Sequence, residues 1–118
     1  MIYNAKYECM SRDDMRALQS ERLKRTVKVC YEKSPFYKKK FDELGITPDD
    51  IKSIDDIAKL PFTTKHDLRD EYPFGLQVVP QDQIVRIHAS SGTTGKPVVD
   101  TYTKNDIDMW SEGVARVM

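Results

Sequence analysis

A stretch of glycine and hydroxyl residues, Ser90–Pro97, separates two short segments that are rich in β-branched side chains. The flanking segments, Ile84–Ala89 and Val98–Tyr102, have the composition of β-strands. Because glycine tolerates backbone conformations that other residues avoid, the stretch allows the chain to turn between them. The sequence therefore predicts either a hairpin or two neighbouring strands, with a loop at Ser90–Pro97.

The loop has the composition of a phosphate-binding site. Its two glycines let successive backbone N–H groups point into one concavity, its four hydroxyls donate hydrogen bonds, and Lys96 offsets phosphate charge. It is not a Walker A loop, which would need glycine at Ser90 and a hydroxyl residue at Pro97, and the GxGxxG pattern also needs glycine at Ser90. By composition alone, an ordinary Ser/Gly/Thr turn is an equally good interpretation.

Residues 1–83 are predicted to form a series of short helices. Ser11 starts one with a capping box, and Pro35 ends it at the preceding residue. A second helix is expected to end at Gly45, which supplies a left-handed conformation. Further helix starts are indicated at Thr47, Ser53 and Thr64, and a final helix after the strands is capped by Thr103 with Asp106.

The core is predicted from apolar residues that recur at helical spacing. We also interpret Phe62 and Phe74 as packed residues, and His88 as structural, because a strand histidine before a glycine-rich turn is more often packed than catalytic. The expected faces are Met15, Leu18, Leu23, Val27 and Cys30 on the first helix, Tyr37, Phe41 and Leu44 on the second, and Ile107, Trp110, Val114 and Met118 on the last.

Charge and composition argue against several classes of protein. Nineteen Lys and Arg balance nineteen Asp and Glu, so no positive field favours a nucleic-acid or membrane partner. No stretch approaches the ~20 apolar residues of a membrane span, and a signal peptide is not recognisable, so the expected location is cytoplasmic. Cys9 and Cys30 are expected to be reduced thiols, and with two histidines the chain is short of ligands for a structural zinc site.

The order Ser-Ser-Gly-Thr-Thr-Gly-Lys-Pro, which starts at Ser90, resembles the signature of adenylate-forming enzymes. Other segments resemble, in the same order, the opening of phenylacetate-coenzyme A ligases, and this resemblance runs from about Ser11 to the end of the chain. One departure is Asp100, which adds a negative charge near the loop. The resembling segments are Ser34–Tyr37, Leu60–Lys65, Asp67–Asp70, Tyr72–Gly75 and Val85–Ala89.

The resemblance implies an α/β fold in which residues 1–118 are a single N-terminal segment of the large domain of an adenylate-forming enzyme. Its helical part would be residues 1–83, and its strand, loop, strand and final helix residues 84–118. It also implies a reaction in which ATP and an aryl-acetic acid give an acyl-adenylate, which coenzyme A converts to a thioester. The residues implied in binding the nucleotide phosphates are Ser90, Ser91, Gly92, Thr93, Thr94, Gly95 and Lys96.

The resemblance also implies what this segment lacks. The family's adenine pocket, acidic Mg²⁺ ligand and C-terminal lysine would lie beyond Met118, so we expect no catalytic residue and no metal ligand in these 118 residues. The isolated chain is then expected to be an inactive fragment of a ligase. The alternative is a phosphate-binding or interaction module derived from such an enzyme. Unpaired strand edges and family resemblance favour a homodimer or a self-associating fragment.

Overall fold

The computed structural model describes residues 1–91 and 95–118. The chain divides into two compact units, Met1–Phe62 and Thr63–Met118. We call these the first and the second unit. The assignment of all 118 residues to one segment of a larger domain stays a prediction.

The first unit is helical, as the sequence predicts. Ser11 caps the long helix, because its hydroxyl oxygen accepts a hydrogen bond from the backbone N–H of Asp14 at 3.1 Å. Ser34 ends that helix and caps the next one through the N–H of Tyr37 at 3.3 Å. The elements are α1 (Ala5–Glu8), α2 (Arg12–Lys33) and α3 (Pro35–Glu43), followed by 3₁₀ turns at Pro48–Asp50 and Ile54–Lys59.

The core of the first unit forms where α2, α3 and the first 3₁₀ turn meet. Val27 and Phe41 are 3% exposed and Ile51 is 2% exposed, which confirms the first two as core residues and adds the third. The prediction for Leu44 is wrong, because this residue is 55% exposed. Helix α3 ends at Glu43, so helical spacing no longer applies at Leu44, and Ile46 packs against the core instead.

Polar contacts attach the second 3₁₀ turn to α2. The guanidinium of Arg16 donates to both carboxylate oxygens of Asp55 at 2.7 Å, and the backbone N–H of Ile54 donates to the Ser20 hydroxyl at 2.9 Å. Within the turn, the Lys59 ammonium and two backbone N–H groups lower the pKa of Asp56 to about 2. Asp56 therefore stays ionised at neutral pH and keeps the start of the turn capped.

The second unit has the predicted order of a short helix, two strands and a final helix. Its first strand has the predicted bounds, and its second begins and ends one residue later than expected. The strands pair antiparallel, with Ala89 opposite Val99 and Ile84 opposite Thr103. The elements are α4 (Lys65–Asp70), a 3₁₀ turn at Gln81–Gln83, β1 (Ile84–Ala89), β2 (Val99–Thr103) and α5 (Lys104–Val117).

Helix α5 packs on the strands through aromatic rings. The ring of His88 lies 4.8 Å from that of Tyr102 and 5.5 Å from that of Trp110, measured between centroids. These contacts confirm His88 as a packed residue. The prediction of a buried stripe on α5 is wrong for most of its length, because Trp110 is 49% and Val114 48% exposed and Met118 is fully exposed. Two strands are too narrow to cover a helix of this length.

Two further aromatic residues differ from expectation. Phe62, the last residue of the first unit, is 93% exposed, and Phe74 is 41% exposed. Aromatic type alone predicted burial, but neither residue lies in a helix or strand whose face could be packed.

The two cysteines are free thiols, as predicted, and burial raises the pKa of Cys30, which keeps it protonated at neutral pH.

We predict that Phe41→Ala lowers the free energy of unfolding by about 3–5 kcal/mol, because it opens a cavity beside Val27 and Ile51. The matched control is Phe62→Ala, which removes the same side chain from an exposed position and should change stability by less than about 0.5 kcal/mol. Urea unfolding followed by circular dichroism measures both. Equal losses in the two variants would contradict the assignment of the core.

Candidate functional site

The Ser90–Pro97 loop is closed at its base by two hydrogen bonds. The backbone N–H of Ser90 donates to the carbonyl of Val98 at 2.9 Å, and the N–H of Val98 donates to the Ser90 hydroxyl oxygen at 3.2 Å. Val98 is 9% exposed and anchors the returning chain. The predicted site residue Ser90 thus helps to shape the loop, while its hydroxyl hydrogen can still be donated to a ligand.

The other predicted site residues follow this closure. Ser91, Gly95 and Lys96 are exposed at the same end of the strand pair, while Gly92, Thr93 and Thr94 lie outside the described residues. Gly95 has a φ of +136°, which side chains rarely allow, and a Cβ there would meet no atom within 4 Å. Glycine is therefore required at this position by backbone conformation and not by crowding.

Lys96 provides the positive charge of the loop. Its ammonium nitrogen lies 6.0 Å from the centroid of the Tyr72 ring. Within residues 1–91 and 95–118, no carboxylate forms an ion pair with Lys96. The charge is thus available to an anionic ligand.

The segment that contains Tyr72 lies beside β2, and the two enclose a cavity of about 210 Å³. Residues between Leu68 and Gln77 line one side, and residues 99–102 line the other. Asp100, the departure from the family pattern, belongs to this lining and pairs with His88 in the strand register. The side-chain oxygen of Gln77 is buried and accepts no hydrogen bond from the described residues.

A tight turn holds the segment in place. The backbone N–H of Gly75 donates to the carbonyl of Glu71 at 2.8 Å, and that of Tyr72 donates to Arg69 at 3.2 Å. A Cβ at Gly75 would lie 2.8 Å from the backbone oxygen of Glu71 and would also meet its carboxylate. Only glycine fits this turn without displacing the backbone.

Two other kinds of site are absent from the part of the chain that the structure describes. No three His, Cys, Asp or Glu side chains there are grouped closely enough to hold a metal ion. None of the helices there combines the length and the apolar character that crossing a bilayer requires. The loop and its surroundings, which combine hydroxyl groups with the ammonium of Lys96, are therefore the candidate functional site among these residues.

Comparison with known proteins shows which ligases the chain is similar to. No protein-family model matches the chain. It is 52% identical to the phenylacetate-coenzyme A ligase of Thermus thermophilus over 116 residues and 56% identical to that of Escherichia coli over 119 residues. The chain corresponds to an N-terminal segment of phenylacetate-coenzyme A ligases. Each match covers 98% of this chain but only 26% and 27% of the relative, so the chain spans about a quarter of the ligases it matches.

Solved structures agree with this family. The chain resembles a 2-hydroxyisobutyryl-CoA ligase in complex with 2-HIB-AMP and CoA, with a TM-score of 0.82 and 31% identity. An open conformation of that ligase gives a TM-score of 0.79 and 30% identity. The matches cover 92% of this chain and 24% and 26% of the solved chains. The prediction that the fold is the N-terminal part of an adenylate-forming ligase is confirmed.

We predict that Gly75→Ala destabilises the second unit by about 1–3 kcal/mol, because the new methyl group would press on the Glu71 backbone oxygen. The control is Gly113→Ala, in the interior of α5, where a Cβ would meet no atom within 4 Å. Alanine there should stabilise the helix by roughly 0.5–1 kcal/mol. Thermal melts compare the two variants, and a Gly75→Ala protein as stable as the original chain would refute the tight turn.

Proposed function

We propose that this segment binds the β- and γ-phosphates of ATP in an AMP-forming ligase that activates an aryl-acetic acid such as phenylacetate. The observation that carries the proposal is the loop itself, closed at its base by Ser90 and Val98 and bearing the exposed ammonium of Lys96. The proposed acid substrate and thiol acceptor are those in the names of the related ligases.

In the proposed reaction, a carboxylate oxygen attacks the α-phosphorus of ATP and pyrophosphate leaves. The sulfur of coenzyme A then attacks the acyl carbon, so that the thioester forms, AMP leaves and the thiol proton is released. Such chemistry depends mainly on positioning and on neutralising charge. The contribution of this segment is to hold the leaving pyrophosphate through backbone N–H groups, hydroxyls and Lys96. Mg²⁺ would neutralise further phosphate charge when bound, and we assign it no ligand here.

We predict that Lys96→Ala raises the KM for ATP in adenylation about ten- to a hundredfold, because a charge-assisted hydrogen bond to phosphate is lost. The protein tested is a ligase that carries this segment, either the parent enzyme or a chimera in which the segment replaces the matching quarter of the Escherichia coli relative. The measurement is acid-dependent exchange of labelled pyrophosphate into ATP. Lys104→Ala is the matched control, since Lys104 pairs with Asp108 on α5 at 2.6 Å.

Unchanged kinetics in the Lys96→Ala enzyme would remove Lys96 from the phosphate site. The isolated 118-residue chain is a second control and should catalyse no exchange. Exchange by that chain alone would disprove its proposed inactivity. If the chain binds pyrophosphate but no ligase that contains it adenylates an acid, the module interpretation replaces the enzymatic one.

We predict that the isolated chain self-associates, as a homodimer or by exchange of elements between copies. Both strands have an unpaired edge among the described residues, and apolar side chains of β1 and α5 are exposed, including Val85 at 60% and Ile87 at 48%. Light scattering over a dilution series measures the mass. A monomer at every concentration, with a melting temperature independent of concentration, would contradict association.

A further inference from the structure

The motif Tyr72–Gly75 has no role in the chemistry described so far. We infer that Tyr72 is a positioning residue that holds the ammonium of Lys96 at the mouth of the phosphate loop before the nucleotide arrives. The inference rests on the proposed function of the loop. It adds a residue from outside the loop to the machinery that binds ATP.

Lys96 and Tyr72 lie within reach of a cation–aromatic contact. The Lys96 nitrogen lies 6.0 Å from the centroid of the Tyr72 ring, at the outer limit for attraction between a cation and an aromatic face. Tyr72 is 42% exposed, so the contact is open to solvent on one side. A ligand can therefore reach the ammonium without displacing the ring.

Tyr72 has less conformational freedom than Lys96. The backbone N–H of Tyr72 donates to Arg69, and the turn that follows is closed by Gly75 and the carbonyl of Glu71. Glycine is required at position 75, so the turn has little freedom to rearrange. The backbone of Tyr72 is therefore fixed and its ring turns about only two side-chain bonds, whereas a lysine side chain has several more rotatable bonds.

The contact also has an energetic consequence for phosphate binding. A free lysine must lose side-chain entropy when it binds phosphate, and this loss weakens the contact. An ammonium that already rests against a ring has lost part of that freedom in advance. Its three N–H donors are not used up by the ring face, because the attraction comes from the ring quadrupole. The ring thus prepares Lys96 for phosphate without competing for its hydrogen bonds.

The contact is tested first in the 118-residue chain, without nucleotide. Lysine labelled with ¹³C reports the ε-methylene resonances by NMR, and Lys96→Ala assigns the signal. We expect the Lys96 signal to be displaced upfield by the ring, to return to the ordinary lysine position in Tyr72→Leu, and to stay displaced in Tyr72→Phe. Phe74→Leu is the matched control, because Phe74 is an aromatic of equal exposure in the same turn. A signal that does not respond to Tyr72→Leu overturns the inference.

The functional consequence is tested in the ligase that carries the segment. We expect Tyr72→Leu to raise the Kd for ATP, measured by calorimetry, and the KM for ATP about two- to fivefold, with kcat nearly unchanged. Tyr72→Phe should restore both values. In a Lys96→Ala background, Tyr72→Leu should have no further effect, because the residue it positions is gone.

The outcomes distinguish the positioning role of Tyr72 from the proposed function of the loop. If Lys96→Ala weakens ATP binding but Tyr72→Leu does not, or if their effects simply add, Tyr72 has no positioning role and the phosphate loop stands. If Lys96→Ala itself has no effect, the proposed function of the loop fails and the positioning role fails with it. A lowered melting temperature shows whether Tyr72→Leu has lost its structure. In that case the Lys96 NMR signals of the Tyr72→Phe and Phe74→Leu variants provide the test of the positioning role.

Discussion

The antiparallel pairing of β1 with β2 is the interaction on which the candidate site depends. The pairing brings Ala89 opposite Val99, so the chain leaves and re-enters the strands at adjacent positions. The Ser90 and Val98 hydrogen bonds extend this closure by one step into the loop. Without it, Ser91 and Lys96 would lie on an open chain and not at one end of a strand pair. The same pairing supports α5, because His88 and Tyr102 on neighbouring strands form the surface that Trp110 contacts.

Much of the fold could be predicted from local chemistry. Caps at Ser11, Thr64 and Thr103 specify helix starts through hydrogen bonds within three residues, and all three were found where the sequence indicated them. The β-branched run of β1 specified its own bounds. Helical periodicity was less reliable at its ends, because the packing of Leu44 or Met118 depends on which partner surfaces exist, and no local pattern contains that information.

The candidate site was likewise predictable where it depends on residues adjacent in sequence, and not where it depends on the fold. The order of residues from Ser90 to Pro97 indicated both the loop and its family, because the resemblance lies in residues that are adjacent in sequence. The role of Ser90 and Val98 in closing the loop was not foreseen, although two strands around a loop require some such pair. The approach of Tyr72 to Lys96 joins residues 24 positions apart in the printed sequence, and such a contact depends on the fold and not on local pattern.

Ser34, which is 1% exposed, belongs to two helices at once. Its backbone N–H donates to Cys30 at the end of α2, while its hydroxyl accepts from Tyr37 at the start of α3. One residue thus serves as last donor and first acceptor, so fraying of either helix disturbs the hydrogen bond of the other. The corner at Ser34 therefore links the two helices, and we expect amide protons on both sides of it to exchange as one cooperative unit.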